Sequence, residues 1–502
     1  MPVVRNTTQI KTDRFNKTDT IRFLSQCQQQ AAATHHPKIA SLSFKVAPIE
    51  PWIVLETLRH PHKRHFYYDP PHQPSVVGID VLMGASAQGR TRFTQAQDFV
   101  QRWRSHFIYA DRVYADQSVN SAQSGSAGLL GRFFCSATFF ADAATVIGPM
   151  TGRATGSMTG RVTSPQPEAF EPVYVFIPQA QVTTQVEFST VTFNVLVTAT
   201  TEIERAAERL YRQMRRLEES KSIGTAQAAS QKVVSKDVSG FAAAVQSILP
   251  PVKQGPLHKV VLADVMDVVA PQVIDEVRSL QTLRQNHPDC TVFALSNGKG
   301  QSFIGASPER LLSIDQGQLM TDALAGSAPR SPQDGIDRQL AQSLLHSKKE
   351  RYEHSVVVDF IVRQLRSLGL NPHYTDAPQI LQLAHIQHLH TPISARLNPK
   401  VVSPLEILDK LHPTPAVAGL PRQLACELIH QHETFDRGLY AAPLGWLDTE
   451  GNSEFIVGIR SALINGCKAR LYAGAGIVAG SEPAKELAEI KLKLQTLLNA
   501  LV

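Results

Sequence analysis

Strand-like and helix-like runs follow one another along these 502 residues without the strand–helix–strand rhythm that a parallel sheet requires. Residues 172–178 and 191–197 are rich in β-branched and aromatic side chains, as is the earlier run 133–140. Residues 259–263, 454–459 and 469–473 read as further strands. Between them lie helical stretches. In 201–220, Leu210, Met214 and Leu217 recur at helical spacing with mixed charges between them. Residues 239–249 form a second helix, ended by Pro250 and Pro251, and 350–368 a third. A closing helix over 482–498 takes Ser481 as its N-cap and Pro483 in its first turn. This mixture predicts an α+β fold with antiparallel sheets.

The chain divides into a flexible N-terminus (1–20), an N-terminal part (21–236) and a denser region (237–502). Residues 147–163 carry the tetrapeptide Met-Thr-Gly-Arg twice in a small, glycine-rich context, which predicts a mobile surface loop. The segment lacks the Lys-Ser/Thr ending of a P-loop. A linker rich in Ser, Gln, Ala and Lys spans 221–236. The net charge of +6 is modest, and its one basic cluster, Arg59–His65, reads as a solvated loop, so no nucleic-acid partner is expected. No apolar run reaches the roughly 18 residues of a membrane span. The N-terminus lacks an apolar signal core, so a cytoplasmic protein is expected. The five widely spaced cysteines then read as reduced thiols.

Several residues invite a chemical reading beside a plainer one. Glu309, in Ile-Gly-Ala-Ser-Pro-Glu-Arg-Leu-Leu (304–312), sits straight after a Ser-Pro turn between apolar segments. It is either a surface turn carboxylate or a buried acid. Lys259 heads the run Lys-Val-Val-Leu-Ala and is either a solvated edge charge or an amine enclosed among apolar neighbours. Glu350 with Glu353, and Glu486 with Glu489, place two carboxylates on one helical face each. Each pair is a solvated face unless the two converge on a cation, and oxygen ligands with room for water suit Mg2+. Arg460 ends an apolar strand, as an ordinary terminal charge or as a bidentate carboxylate clamp. His385, His388 and His390 fit no standard zinc spacing. The Gly474–Gly480 run has its third glycine one residue late for a dinucleotide turn, and no second strand follows.

Three pieces together resemble one family: the 304–312 run, Leu-Ala-Gly-Ser (324–327), and Tyr-Ala-Gly-Ala-Gly-Ile-Val (472–478) opening an acidic helix. They are similar to the chorismate-utilising enzymes, which comprise isochorismate, salicylate, anthranilate and aminodeoxychorismate synthases. The resemblance is close over 237–502 and looser over 20–200. It implies an interleaved sandwich of two large antiparallel sheets with outer helices, to which the N-terminal part contributes strands.

The resemblance also implies roles. Lys259 would activate water and Glu309 would be the general acid. Glu353 and Glu489 would ligate Mg2+, with Glu350 and Glu486 just outside. Ala325, Gly326, Ser327, His388, Thr391, Ala416, Tyr440, Arg460, Gly474, Gly476 and Lys493 would contact chorismate. His385 and His390 would be incidental. Asp264 departs from the family, which usually has Arg after the Lys-Val-Val-Leu-Ala run, and this puts the strand pairing beyond Ala263 in question. A lysine at 259 and the run 411–419 are like those of isochorismate synthases. The implied function is therefore Mg2+-dependent conversion of chorismate to isochorismate, feeding quinone (menaquinone or phylloquinone) or siderophore synthesis. The alternatives are a salicylate synthase and a non-catalytic chorismate-binding homologue. A monomer is the favoured assembly.

Overall fold

The computed structural model describes residues 16–110, 130–141, 170–220, 234–237, 240–384, 386–397 and 402–501. The strand Val173–Thr184 is a branch point from which two large sheets run. The first passes through Ser75–Ala87, His65–Asp69, Thr291–Ser296, Gln301–Ser307, Ser461–Asn465 and Lys468–Ile477 to Lys259–Val269. The second passes through Arg132–Ala137, Pro443–Asp448, Ser453–Val457, Arg310–Asp315, Gln318–Pro329 and Ile386–Arg396 to Gln379–Gln382. A short third arm, Ser189–Val197 and Lys38–Val46, ends on Phe107–Tyr109, the one parallel partner among the described residues. The predicted α+β fold of two large antiparallel sheets is thus observed, with one apolar core drawing on both. No helix among the described residues is long and apolar enough to cross a membrane.

The N-terminal part is woven into both sheets. His65–Asp69 pairs with Thr291–Ser296, and Arg132–Ala137 with Pro443–Asp448. The amphipathic helix appears as Ile203–Glu219, burying Ala206, Ala207, Leu210, Met214 and Leu217 as its spacing requires. All five cysteines lie among the described residues, and none is paired.

Several boundaries differ from the sequence reading. The helix Lys17–Thr34 takes in residues 17–20, because the Asn16 side chain accepts from the Thr18 amide and Thr20 and Phe23 pack inward. Val234–Asp237, placed at the end of the linker, pairs with Met266–Val269. The loop 147–163 lies outside the described residues. Pro250 and Pro251 sit inside the helix Phe241–Gln254, which closes a turn later when the Gly255 amide bonds the Pro251 carbonyl. Ser481 does not act as the expected cap: its Oγ accepts from the Val478 amide in the preceding turn, and Pro483 opens the helix Pro483–Leu501. Asp264 leaves the pairing of its strand intact, since the register with Lys468–Ile477 runs unbroken from Val260 to Val269.

Candidate active site

The chain crosses between the two sheets at two neighbouring places, and each crossing carries a site residue. Pro308 and Glu309 link Gln301–Ser307 of the first sheet to Arg310–Asp315 of the second. Gly458, Ile459 and Arg460 link Ser453–Val457 back to Ser461–Asn465. The crossings are tied together. Ser307 Oγ accepts from the Glu309 amide and donates to the Val457 carbonyl, while the Val457 amide bonds the Glu309 carbonyl. Arg460 holds a positive φ of 50°, a conformation unusual for a residue with a Cβ, and its carbonyl accepts from the Ala306 amide.

A cavity of about 160 Å3 opens at these crossings. Two helices close over it, one from each sheet. Lys348–Ser367 packs on the second sheet and brings Glu350 and Glu353; Pro483–Leu501 packs on the first and brings Glu486, Glu489 and Lys493. Lys259 and Val261, two apart on one strand, share a face of the first sheet and line the cavity. Gly476 leaves the room they need: a Cβ there would stand 2.6 Å from Glu353 Oε1 and 3.2 Å from Lys259 Cε. Gly474 does the same for Tyr440, whose hydroxyl would meet a Cβ at 2.7 Å.

Glu309 is 5% exposed, and burial pushes its carboxyl up to about 8, with Lys259 counteracting and Asp322 reinforcing. It is therefore a protonated acid at neutral pH. Lys259 is buried at 1% exposure and its Nζ lies 2.8 Å from Glu353 Oε1, so the solvated-edge alternative does not apply. Lys349 sits between Glu486, at 3.5 Å, and Glu350, at 3.8 Å. Lys493 pairs with Glu489 at 2.7 Å and donates to the Gly474 carbonyl at 3.0 Å. Burial raises the Glu350 carboxyl, and the neighbouring Glu353 raises it further. Burial likewise raises Glu486, which the Ser481 hydroxyl and Lys349 partly relieve. Gly326, at φ 77°, forms a bulge that aims the Ser327 amide at Glu350 Oε2, 3.3 Å away.

Arg460 donates from Nη2 to His388 Nε2 at 3.2 Å. A guanidinium cannot accept, so His388 Nε2 is unprotonated and Nδ1–H donates to Ser327 Oγ at 2.9 Å. Burial, and then the Arg460 charge, hold His388 well below its ordinary pKa, as a neutral ring needs. Among the described residues no carboxylate pairs with Arg460; its other contact is Cys290 Sγ at 3.7 Å. Tyr440 stacks on Tyr472 with ring centroids 5.2 Å apart.

Of the expected site residues, Lys259, Glu309, Ala325, Gly326, Ser327, Glu350, Glu353, His388, Ala416, Tyr440, Arg460, Gly474, Gly476, Glu486, Glu489 and Lys493 all line this cavity. Thr391 does not. It lies three residues after His388 and so points to the opposite face of its strand, where its Oγ1 bonds His354 Nε2 at 2.8 Å beneath the helix. His390 bonds Asp322 at 2.9 Å, and His385 lies outside the described residues. Sequence reasoning missed Lys349 and Tyr472 as lining residues. It also missed the buried Glu433–Arg437 pair behind the wall. Among the described residues no three His, Cys, Asp or Glu side chains gather as a ready metal cage. The donor set still fits a hard, hydrated cation, which needs only one or two protein carboxylates beside water and substrate.

Comparison with known proteins agrees with this geometry. The family model described as "Chorismate binding enzyme" matches residues 22–502. The isochorismate synthase MenF of Bacillus subtilis (strain 168) is 29% identical over 478 residues, covering 94% of this chain and 95% of that one. The salicylate biosynthesis isochorismate synthase of Pseudomonas aeruginosa is 45% identical over 264 residues, which are 52% of this chain and 54% of the relative's length. The menaquinone-specific isochorismate synthase MenF from Escherichia coli has the same fold, with a TM-score of 0.71 at 23% identity over 95% of this chain and 100% of its own. A cavity built at two sheet crossings and a match over nearly the whole chain lead to one assignment: the protein belongs to the chorismate binding enzyme family.

Proposed function

We propose that this protein is an isochorismate synthase. The observation that carries the reading is the buried Glu309, whose carboxyl burial raises, in the same cavity as the buried Lys259. Exchange of a C4 hydroxyl for a C2 hydroxyl needs a proton donor at the departing oxygen and a proton acceptor at the incoming water. Lys259, in its neutral amine form, takes a proton from water as the water oxygen bonds to C2. The ring double bonds shift, the C4–O bond breaks, and Glu309 delivers its proton so that water leaves. One water enters and one departs, and the two side chains are reset by exchanging a proton with solvent.

Arg460, without a carboxylate partner of its own among the described residues, suits one substrate carboxylate, and the neutral His388 steadies its guanidinium. The Gly474–Gly476 backbone and Lys493 suit the second. Glu353 and Glu489 would hold Mg2+, with Glu350 and Glu486 beside them on the same two helices. Bound there, the ion would supply positive charge to offset the substrate's C1 carboxylate and the facing glutamates. The four carboxylates reach one cavity from two helices, and acidic faces turned toward each other repel without a cation between them, which supports one there. The product supplies quinone or siderophore assembly.

Chromatography of products from purified protein, chorismate and Mg2+, beside a coupled pyruvate assay, tests the reading. It predicts a mixture of chorismate and isochorismate, with no stoichiometric pyruvate and no requirement for ammonia. Salicylate and pyruvate appearing together would make it a salicylate synthase. Anthranilate formed on adding ammonium would overturn the role of Lys259, and no turnover would leave a chorismate-binding homologue.

A further inference from the structure

The strand that carries Lys259 is bonded from Val260 to Val269 to Lys468–Ile477 on one side, but its other edge has a gap. Around Lys259 that edge bonds the segment 418–420: the His258 amide to the Leu420 carbonyl and the Val261 amide to the Ala418 carbonyl. From Met266 onward it bonds Val234–Asp237. Between the two partners the Val261 carbonyl and the Ala263 amide face no strand among the described residues. Two side chains fill the place. Arg437 Nη2 donates to the Val261 carbonyl at 2.8 Å, and Glu433 Oε1 accepts from the Ala263 amide at 2.8 Å. The two join each other through Nε to Oε2 at 2.8 Å and Nη2 to Oε1 at 2.6 Å. Arg437 Nη1 donates to the Val417 carbonyl at 2.8 Å, and the Arg437 carbonyl accepts from the Tyr440 amide. The guanidinium lies over the Phe139 ring, 4.3 Å from its centroid.

We propose that Glu433 and Arg437 are positioning residues that act as a two-side-chain substitute for a missing strand. They fix the Lys259 strand, the Val417 wall and the Tyr440 turn, three parts of the cavity lining, at one set of distances. Neither side chain lines the cavity, so any effect on catalysis passes through Lys259 and its neighbours. A buried ion pair is a poor way to gain stability, because desolvating two charges offsets most of their attraction. A fully bonded pair that spans three segments is a good way to hold a reacting group in place, and small misplacements of such groups cost large factors in rate. This inference rests on the proposed reaction.

The test uses Glu433→Asp, which keeps both charges but cannot reach Ala263 and Arg437 together, and the charge-free double variant Glu433→Gln/Arg437→Gln. Each is expected to lower kcat at least about 10-fold with KM for chorismate changed less than about threefold. Amide exchange in the 259–265 peptide, read by mass spectrometry, should quicken while that of 470–477 does not. Val417→Ile, which adds bulk to the wall and leaves the Val417 carbonyl bonded to Arg437, should instead raise KM. Either variant keeping kcat within about threefold, or unchanged exchange at 259–265, overturns the proposal. Should both variants fail to fold, the unsubstituted protein decides: a protected Ala263 amide supports the proposal, and an Ala263 amide that exchanges as a free edge overturns it. Absence of turnover in the unsubstituted protein would count against the proposed function, and the exchange measurement would still judge the strut.

Discussion

Glu309→Gln should separate stability from activity, and the size of the separation follows from the burial of one carboxyl. In the unfolded chain this group ionises at its ordinary value of 4.5; in the fold it does so at about 8. Because the folded value is the higher, the proton favours the folded state. The stability that protonation contributes is complete below 4.5 and is lost as pH rises through about 8. The displacement corresponds to about 5 kcal/mol in all, of which about 3 kcal/mol is already lost at pH 7. Glutamine has nearly the same shape and no charge to bury, so the variant lacks this slope. For a chain of this length the unfolding entropy is about 1 kcal/mol per °C, so the melting temperature of Glu309→Gln should gain about 5 °C on the unsubstituted protein between about pH 4.5 and about pH 9. Turnover should fall more than about 10-fold over the same range, a barrier increase of over about 1.4 kcal/mol, through loss of the proton donor. Calorimetry across pH beside a chorismate assay reads both. Parallel melting curves for the two proteins would refute the burial argument, and retained turnover would refute the acid.

Lys259→Met, which keeps much of the side chain's volume, should lose nearly all turnover; more than about a tenth of the original kcat would show that Lys259 is not the base. Lys259→Ala should be the less stable of the two, because this buried side chain leaves a hole as well as an unpaired Glu353, and thermal melting checks the order. Chelation should abolish activity and Mg2+ restore it, with Glu353→Ala and Glu489→Ala raising the Mg2+ requirement steeply and Glu350→Ala and Glu486→Ala mildly. Full activity in excess chelator, or rescue by Zn2+ alone, would contradict the metal assignment. Thr391→Val should cost about 1 kcal/mol of stability through the lost His354 bond and leave KM for chorismate unchanged, since the residue faces away from the cavity.

Much of the site is legible in sequence because its residues stand where the backbone does something unusual. Glu309 follows a Ser-Pro turn, and that turn is a sheet crossing. Gly474 and Gly476 stand where a Cβ would strike Tyr440 or Glu353. The acidic pairs announce themselves by helical spacing, although their convergence depends on which sheet each helix rides. Ser347 and Glu350 have the spacing of a capping box, and Ser347 does cap, yet the Glu350 carboxylate turns instead to the Ser327 amide. Thr391 went astray because a motif match says nothing about strand parity, which puts His388 and Thr391 on opposite faces. Lys349 was hidden inside a charged run that reads as solvated. The Glu433–Arg437 pair was invisible because its partners are backbone atoms 170 and 176 residues away. The interleaving of the two sheets follows from pairings between distant strands, which local pattern cannot specify.

In the proposed reaction water attacks C2 while the C4 hydroxyl departs, so the oxygen at C2 of the product comes from solvent. Turnover of chorismate in 18O-enriched water, followed by mass spectrometry of the isochorismate at early conversion, tests this directly. One solvent oxygen is expected in each molecule of isochorismate formed, located at C2, with label absent when Lys259→Met replaces the unsubstituted protein. Unlabelled isochorismate formed at the normal rate would mean that the hydroxyl migrates within the substrate, and would contradict the roles given to Lys259 and Glu309.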